Sequence, residues 1–506
     1  MKTLGFFIKC HLMKTLVSLI LLTLCLSLKA QNAHFSWSAE AKNCMRLIQN
    51  LEIKKAETSI KQIKEADPNN MVCHLLENYI DLFTILIKES PEYLEENYPN
   101  KSKRIEALEA LPDSNPYKAF TQAEIKIHWA MARMRFEEYF APALDINRAF
   151  KQLRRLQEKF PYFYPAQKTL GTLYVAVGSI PSQYRSLLGF ISALEGDVNY
   201  GFELLEQAYK HGIDRNTYVY REETGIIYAY LLLYIKKDKE EAWKVTSKLN
   251  LRTSESILAK FLKANVALRT FRTQEAINIL QAPYTGKADT EIHFLDFMLG
   301  EAYLYQLDPK AITYFEKYIQ QFEGKNYVKE ALQKQAWAYL VNEDKQAYQA
   351  NMLRILNEGE AYSATDKSAE VQAKLGKTPN IHLLKARLLC DGGYFSKAKS
   401  ILLKGILDPN QLQDLEQLEF HYRQGRIAHL SGSHTEAKKQ YQKTIDLGKN
   451  NKAYFACRSA LEMGHIFEEE KNKPKASEYF TLCLDLEPDE YKFSLHLSAK
   501  AGLKRL

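Results

Sequence analysis

The sequence predicts an all-α fold, a solenoid of about nine helix pairs with one extra helix inserted near residues 180–195. Three observations lead to this prediction. The chain has only 21 Gly and 15 Pro among its 506 residues, which is unusual for a loop-rich protein. Small and large apolar residues recur at a fixed spacing, and turn-forming residues recur in step with them. Such units bury their apolar faces against their neighbours and together form a solenoid.

The repeat is clearest between residues 381 and 490. Three series of residues recur every 39 positions: Ala386, Gly425 and Gly464; Ala398, Ala437 and Ala476; and Leu402, Tyr441 and Phe480. The small residue of the first series lets two antiparallel helices cross closely, and the large residue of the third fills the space between units. Turn formers lie between the helices of each unit, at Asp391–Gly393, Ser431–Ser433 and Asn472–Pro474.

This order of residues resembles the tetratricopeptide repeat (TPR), in which a small residue is followed by an Ala, an aromatic residue and a Pro. The last unit matches at Gly464, Ala476, Phe480 and Pro488, although its 39-residue spacing is longer than that of the family. Weaker copies are found upstream, at Ala56, Ile60 and Pro68; Ala149, Leu153 and Pro161; Ala264, Ala276 and Leu280; Gly300, Ala311, Phe315 and Tyr318; and Gln335–Ala338. The resemblance implies helix pairs over most of the chain.

One unit is interrupted between Gly171 and Gly201, a stretch that holds 5 of the 21 glycines. Gly171 fits the first helix of a unit and Gly201 the second, so the segment between them is an insertion. Pro181 can start a short helix, Ser182–Leu194, within it. The stretch resembles a large eukaryotic TPR family that includes a yeast inclusion-body-clearance protein. The matching residues are Gly178, Ile180, Pro181, Leu187, Leu188, Gly189, Phe190, Gly196, Asp197, Gly201 and Leu204.

The N-terminus has the features of a secretory signal peptide, residues 1–30. Lys2, Lys9 and Lys14 precede an apolar run, Leu16–Leu28, and Ala30 ends a suitable cleavage site. The run is shorter than the roughly 20 residues that a membrane helix needs, so no membrane segment is predicted after cleavage. The sequence MKTL occurs twice, and either methionine, Met1 or Met13, could be the true start. The predicted location is therefore the periplasm or another exported compartment.

Composition suggests three further segments in the exported chain. An N-terminal TPR-like solenoid is expected over 31–358 and a block of three repeats over 380–506. The polar stretch 359–379 between them is interpreted as a linker or hinge, although a surface helix would fit equally well.

The charge of the exported chain is close to balanced. Removing the four leader lysines from 69 basic residues leaves 65 against 61 acidic residues, which argues against a nucleic-acid-binding protein. Five cysteines remain, Cys44, Cys73, Cys390, Cys457 and Cys483, with no CxxC motif. They are either buried free thiols or include one disulfide, for which Cys457 and Cys483 are the candidates because they fall at the same end of one helix pair.

The sequence contains no catalytic motif. A P-loop, GxGxxG, HExxH, GxSxG and an EF-hand loop are all missing, so neither enzymatic activity nor a cofactor is predicted. His421 and His429 lie two helical turns apart, but no third ligand is evident, and no metal site is predicted either.

The inner surface of the solenoid is the candidate for binding a partner. Arg387, Arg426 and His465 directly follow the small residues of the last three units, and Tyr422 and Arg458 share their expected face. Such a basic column could hold a carboxylate or an acidic peptide. The corresponding upstream residues, Phe261, Phe294 and Phe297, suggest an aromatic lining.

These observations favour an exported scaffold that binds protein or peptide partners in the cell envelope. A glycan-binding TPR protein of the envelope is the alternative, and only 4 Trp and short loops count against it. The sequence predicts neither the partner's identity nor the oligomeric state.

Overall fold

A computed structural model describes residues 33–180, 196–215, 218–289 and 291–506. The described residues form helices joined by turns and short irregular segments, apart from one isolated bridge between His34 and Asn70. The predicted leader lies outside them. None of the helices described is long and apolar enough to span a bilayer.

The helices are numbered here in chain order. The N-terminal third holds α1 (Ala39–Gln49), α2 (Ile53–Ala66), α3 (Val72–Lys88), α4 (Pro91–Asn97), α5 (Asn100–Ala107), α6 (Pro116–Met134), α7 (Phe140–Lys159) and α8 (Tyr164–Gly178). The middle holds α9 (Val198–Asp214), α10 (Arg221–Leu231), α11 (Lys239–Lys248), α12 (Ile257–Arg269), α13 (Thr273–Gln281), α14 (Phe294–Tyr305), α15 (Lys310–Gln321), α16 (Val328–Val341), α17 (Lys345–Asn357) and α18 (Ala364–Leu375). The C-terminal part holds α19 (Ile381–Asp391), α20 (Phe395–Gly405), α21 (Asp414–Leu430), α22 (His434–Gly448), α23 (Phe455–Glu469), α24 (Lys473–Asp485) and α25 (Lys492–Arg505).

Most of these helices form consecutive hairpins. Ten pairs pack closely within the described part of the chain: α1/α2, α6/α7, α8/α9, α10/α11, α12/α13, α14/α15, α16/α17, α19/α20, α21/α22 and α23/α24. Neighbouring pairs also contact each other, for example α22 with α23. The architecture is therefore the predicted all-α, TPR-like solenoid, with one pair more than the nine or so expected.

The predicted packing between small and large residues is found in the repeat units. A Cβ atom added to Gly425 would lie 2.6 Å from the ring of Tyr441, and one on Gly464 would lie 2.4 Å from the ring of Phe480. Glycine is required there because the partner helix approaches too closely for a side chain. The last helix, α25, covers the end of the array and brings Gly502 against the other side of Phe480.

The interrupted unit is a single helix pair, as predicted. Helices α8 and α9 cross at Gly171 and Gly201, where a Cβ on either residue would lie 2.7 Å from the carbonyl oxygen of the other. The insertion therefore leaves the pairing of its two flanking helices intact. The inserted helix expected at Ser182–Leu194, with the family-like residues from Pro181 to Phe190, falls outside the described residues.

The interval 359–379 is not an extended linker. It contains α18, which packs on α16 and α17 and buries Ala369 and Ala373. The carboxylate of Asp366 accepts hydrogen bonds from the backbone N–H groups of Tyr327 (2.8 Å) and Glu330 (2.9 Å) at the start of α16. The apolar core also continues through this interval, because Leu384 of α19 belongs to the same cluster as α18. The surface helix that the sequence left open as the alternative to a linker is therefore the one found, and helix formation satisfies the backbone of this polar stretch.

Contacts between distant parts of the chain supplement the neighbour-to-neighbour packing. Ser256 donates a hydrogen bond to the carbonyl oxygen of Gln49 (3.0 Å), and the Asn326 side chain donates to Glu89 (2.9 Å). Thr273, at the start of α13, donates to the carbonyl oxygen of Gly392 (2.8 Å), in the turn between α19 and α20. These contacts join residues that are separated by more than two repeats.

All five described cysteines are buried free thiols. The Sγ atoms of Cys457 and Cys483 lie 3.5 Å apart, so the predicted proximity of this pair is found without a disulfide bond.

Candidate functional site

The basic column of the C-terminal units consists of side chains on three successive first helices. Arg387 lies on α19, Arg426 on α21, and Arg458 and His465 lie on α23. Their side chains are between 25% and 44% exposed, which leaves each of them accessible. The 39-residue repeat therefore brings basic groups from three units onto one surface.

Two carboxylates orient the arginines of this column. Asp391 lies 2.6 Å from Nη1 of Arg426 and 3.8 Å from Nε of Arg387, so it bridges two units. Within α23, Arg458 Nε donates to Glu462 at 2.8 Å. Burial by itself would raise the pKa of Asp391, but Arg426 and Arg387 outweigh it, and its pKa is lowered. The arginines are thus held in place by ion pairs before any partner binds.

Two lysines reach this surface from the turn between α10 and α11. A short π-helix, Leu232–Lys236, ends α10, Lys237 then adopts a left-handed conformation, and Asp238 caps α11. The ammonium group of Lys239 lies 3.4 Å from the centre of the Phe271 ring. That ring packs edge-on against Phe395 of α20, with centroids 5.3 Å apart, so Lys239 is placed beside the C-terminal units.

Burial and neighbouring arginines both lower the pKa of these two lysines, although the side chain of Lys237 is exposed to solvent. Burial lowers the pKa of Lys239 to about 8, and nearby Arg426 lowers it as well, against the opposing effect of Asp391. Burial likewise lowers the pKa of Lys237, with a further contribution from Arg458. We call Lys237, Lys239, Arg387, Arg426 and Arg458, together with Asp391 and Glu462, the cationic cluster. The cluster so defined has five cations and two carboxylates, and Glu490 outside it also acts on Arg387, so positive charge remains in excess.

Two of the aromatic residues expected to bind a partner are buried instead. Tyr422 is 5% exposed and packs against Tyr454 and Phe455, and Phe297 is 1% exposed. The expectation that these two side chains line an accessible surface is wrong, because each ring fills the space between adjacent units. Phe261 and Phe294 are half-buried at the edge of the core, where Phe294 stacks on Phe297.

In the upstream unit that contains Gly300, the residue after the glycine is acidic, and its carboxylate is buried in ion pairs. Glu301, next to Gly300, is 1% exposed and accepts hydrogen bonds from Arg269 (2.9 Å), Lys334 (2.6 Å) and Tyr305 (2.8 Å). Burial would raise the pKa of Glu301, yet Arg269 and Lys334 lower it strongly. Sequence reasoning overlooked this group, although the same rule that selected Arg387 and Arg426 would have selected Glu301.

A comparable network lies near the N-terminus. Lys168 is 1% exposed and pairs with Glu124 (3.3 Å) and with Glu223. His128 lies 3.4 Å from Glu124 and hydrogen-bonds to the amide of Asn78 at 2.8 Å. These charges satisfy one another within the fold, so the network serves to hold the helices together.

One group of side chains among the described residues could hold a metal ion. His429, His434 and Glu469 offer ligand atoms that all lie within 4.8 Å of one another. His421, which the sequence places on the same face as His429, is hydrogen-bonded to Gln440 instead (2.8 Å).

Comparisons with known proteins identify no family. No protein-family model and no curated protein sequence matches the chain. Solved structures do match, including one described as "Structure of Naa15/Naa10 bound to HypK-THB". The likeness to that structure covers 92% of this chain and 78% of that chain at 13% sequence identity, with a TM-score of 0.20. At so low a TM-score, the likeness carries no argument about this protein.

The lowered pKa of Lys239 predicts a specific pH dependence of stability. The unfolded lysine has its ordinary pKa of about 10.4, whereas in the fold its pKa is about 8. Between these values the unfolded state binds more protons, so the free energy of unfolding rises with pH. We expect the wild type to gain about 1 kcal/mol relative to Lys239→Gln between pH 7.5 and pH 10, after allowance for partial solvent screening.

Urea unfolding of both proteins at the two pH values measures this difference, because all other titrating groups are common to both and cancel. Lys244→Gln, on the exposed side of the same helix, is the control, and the difference in unfolding free energy between it and the wild type should not change with pH. If the difference in unfolding free energy between the wild type and Lys239→Gln stayed constant with pH, Lys239 would have its ordinary pKa in the fold.

Proposed function

We propose that this protein is a non-catalytic scaffold, exported to the periplasm, that binds acidic segments of protein or peptide partners through the cationic cluster. The observation that carries the proposal is the excess of cations in the cluster. Asp391 is paired with Arg426 and Glu462 with Arg458. Lys237 and Lys239 have no carboxylate of their own within the cluster. A partner carboxylate would supply the missing charge.

The arrangement suits recognition of an extended acidic segment. Guanidinium groups bind carboxylates with two parallel hydrogen bonds, and here they are oriented in advance by ion pairs. The basic groups come from three successive units, so they are spread along the array instead of being concentrated at one point. This distribution favours a chain of carboxylates over a single small anion.

Export is supported by the sequence alone. The lysines before the apolar run Leu16–Leu28, and Ala30 after it, are typical of a secretory leader. Detection of the mature protein in the periplasmic fraction, with a new N-terminus at Gln31, would support this part of the proposal. A protein retained with its leader in the cytoplasm would contradict it.

Binding can be tested with a fluorescein-labelled oligoglutamate peptide and fluorescence anisotropy. We expect wild-type protein to bind the peptide and the double variant Lys237→Gln/Lys239→Gln to bind at least about tenfold more weakly, because two charge-assisted contacts are lost. The matched control is Lys244→Gln/Lys248→Gln, which removes the same charge from α11 away from the cluster. Binding should also weaken as salt is added.

Charge reversal of Arg426 is a poor choice for this test. A glutamate at 426 would lie beside Asp391, and the resulting repulsion would change stability as well as binding. Equal affinity of the two lysine double variants would overturn the role of the cluster. Binding of neutral oligosaccharides but no acidic peptide would favour the glycan-binding hypothesis instead.

A further inference from the structure

Three potential metal ligands meet where two repeat units adjoin. His429 lies in the last turn of α21, His434 begins α22, and Glu469 ends α23. The turn between α21 and α22 thus brings two imidazoles next to the end of the following unit. Their ligand atoms lie within 4.8 Å of one another, whereas ligands of a tetrahedral Zn²⁺ site are about 3.4 Å apart when bonds are about 2.1 Å long.

The remaining separation can be closed by rotating side chains. Nε2 of His434 lies 3.8 Å from Oε2 of Glu469, and the rings of His429 and His434 meet edge-on with centroids 5.6 Å apart. Glu469 is 60% exposed and His434 is 35% exposed, so both can turn without disturbing the core. Exposure on this side also gives an ion direct access from solvent.

The imidazole of the third ligand, His429, is positioned by oxygen atoms near its Nδ1 atom. Its Nδ1 atom is within hydrogen-bonding distance of the Tyr441 hydroxyl (3.4 Å) and lies 3.8 Å from Oε2 of Glu462. A proton on Nδ1 facing these oxygens leaves the lone pair of Nε2 for a metal. Histidine ligands in metal sites are usually oriented in this manner, with the second nitrogen facing a carboxylate or another acceptor.

We propose that Nε2 of His429, Nε2 of His434 and the carboxylate of Glu469 bind one Zn²⁺ ion, with water in the fourth position. Two imidazoles and one carboxylate form a ligand set that suits zinc and the other imidazole-binding divalent metals, and not Mg²⁺ or Ca²⁺. The ion would join the α21–α22 turn to the end of α23 and so link two units. This site shares Glu462 with the cationic cluster, since that carboxylate faces both Arg458 and His429, but it does not depend on the proposed binding of acidic partners.

Equilibrium dialysis of the purified protein against ZnCl₂, after removal of any histidine tag, tests the site. We expect one tightly bound Zn²⁺ per chain. Since loss of a second-shell partner alone weakens metal binding by about 10- to 100-fold, loss of a ligand in His434→Ala or Glu469→Gln should weaken it by more than about 100-fold. Glu462→Gln removes the carboxylate near Nδ1 of His429 and should weaken zinc binding by about 10- to 100-fold.

A matched control uses another exposed histidine–glutamate pair. His293 lies 3.7 Å from Glu291, but no third ligand joins them among the described residues. His293→Ala should therefore leave zinc binding unchanged. Substitution with Co²⁺ gives a second readout, because a tetrahedral site with two nitrogen ligands produces visible absorption bands that His434→Ala should abolish.

Circular dichroism of each variant without metal checks its fold, which we expect His434→Ala and Glu469→Gln to keep because these side chains are 35% and 60% exposed. Wild-type protein that binds no zinc, or that binds it equally well after His434→Ala and Glu469→Gln, would overturn the proposal. A loss of zinc binding in His293→Ala to the same extent would do so too, since binding would then be distributed over surface histidines.

Discussion

Replacing Glu301 by glutamine is expected to destabilise the fold by about 3 kcal/mol. Glu301 is 1% exposed and is shared by Arg269 and Lys334. The amide would keep the shape of the side chain but would leave two largely buried cations without their common counter-charge. Glu330, which lies 3.2 Å from Lys334, offsets part of this loss, so the lower end of the usual 3–5 kcal/mol range is expected.

Chemical denaturation of the wild type and Glu301→Gln measures the effect. Glu478→Gln is the control, since Glu478 is 57% exposed and pairs with Lys475 on the same helix face, and it should change stability by less than about 0.5 kcal/mol. An equally small change for Glu301→Gln would show that the buried network does not stabilise the middle of the solenoid.

Truncating Phe480 to alanine is expected to cost about 3–5 kcal/mol. The ring is fully buried and lies between Gly464 of its own unit and Gly502 of the capping helix α25. Two of its neighbours are glycines, which offer no side chain to move into the space that the ring leaves, and the His465 ring packs edge-on against it with centroids 5.2 Å apart. Most of the cavity should remain, and α25 should lose one of its contacts with α24.

Thermal and urea unfolding of Phe480→Ala test this expectation, and faster hydrogen exchange in α25 would localise it. Leu407→Ala provides the comparison, because Leu407 is 89% exposed and its loss should be nearly neutral. If Phe480→Ala unfolded like the wild type, the crossing of α23, α24 and α25 would have to be looser than the structure shows.

Sequence reasoning predicted what depends on local spacing. The series of small residues that includes Gly425 and Gly464 gave the helix pairs, and the residues after them gave the exposed basic column. Tyr422 and Phe297 were misjudged because an aromatic ring suits a core and a binding surface equally well. Their neighbours decide between the two, and those neighbours are known only once the units are stacked.

Lys237 and Lys239 could not be assigned to the site from sequence. They lie about 150 residues before Arg387 in the chain, in a turn with an ordinary charged composition. The packing of Phe271 against Phe395, together with the hydrogen bond from Thr273 to Gly392, brings that turn to the C-terminal units. His434 and Glu469 were not recognised as possible co-ligands of His429 for a similar reason, since Glu469 comes from the neighbouring unit.

The contact between Thr273 and Gly392 has a consequence for how the molecule responds to force and to partial unfolding. In an ordinary solenoid each unit contacts only its neighbours, so the array can extend and single units can unfold by themselves. Here three hydrogen bonds connect units that are far apart in the chain. They run from Thr273 to Gly392, from Ser256 to Gln49 and from Asn326 to Glu89. The array should therefore be stiff to stretching and should melt as a few large cooperative blocks, not unit by unit.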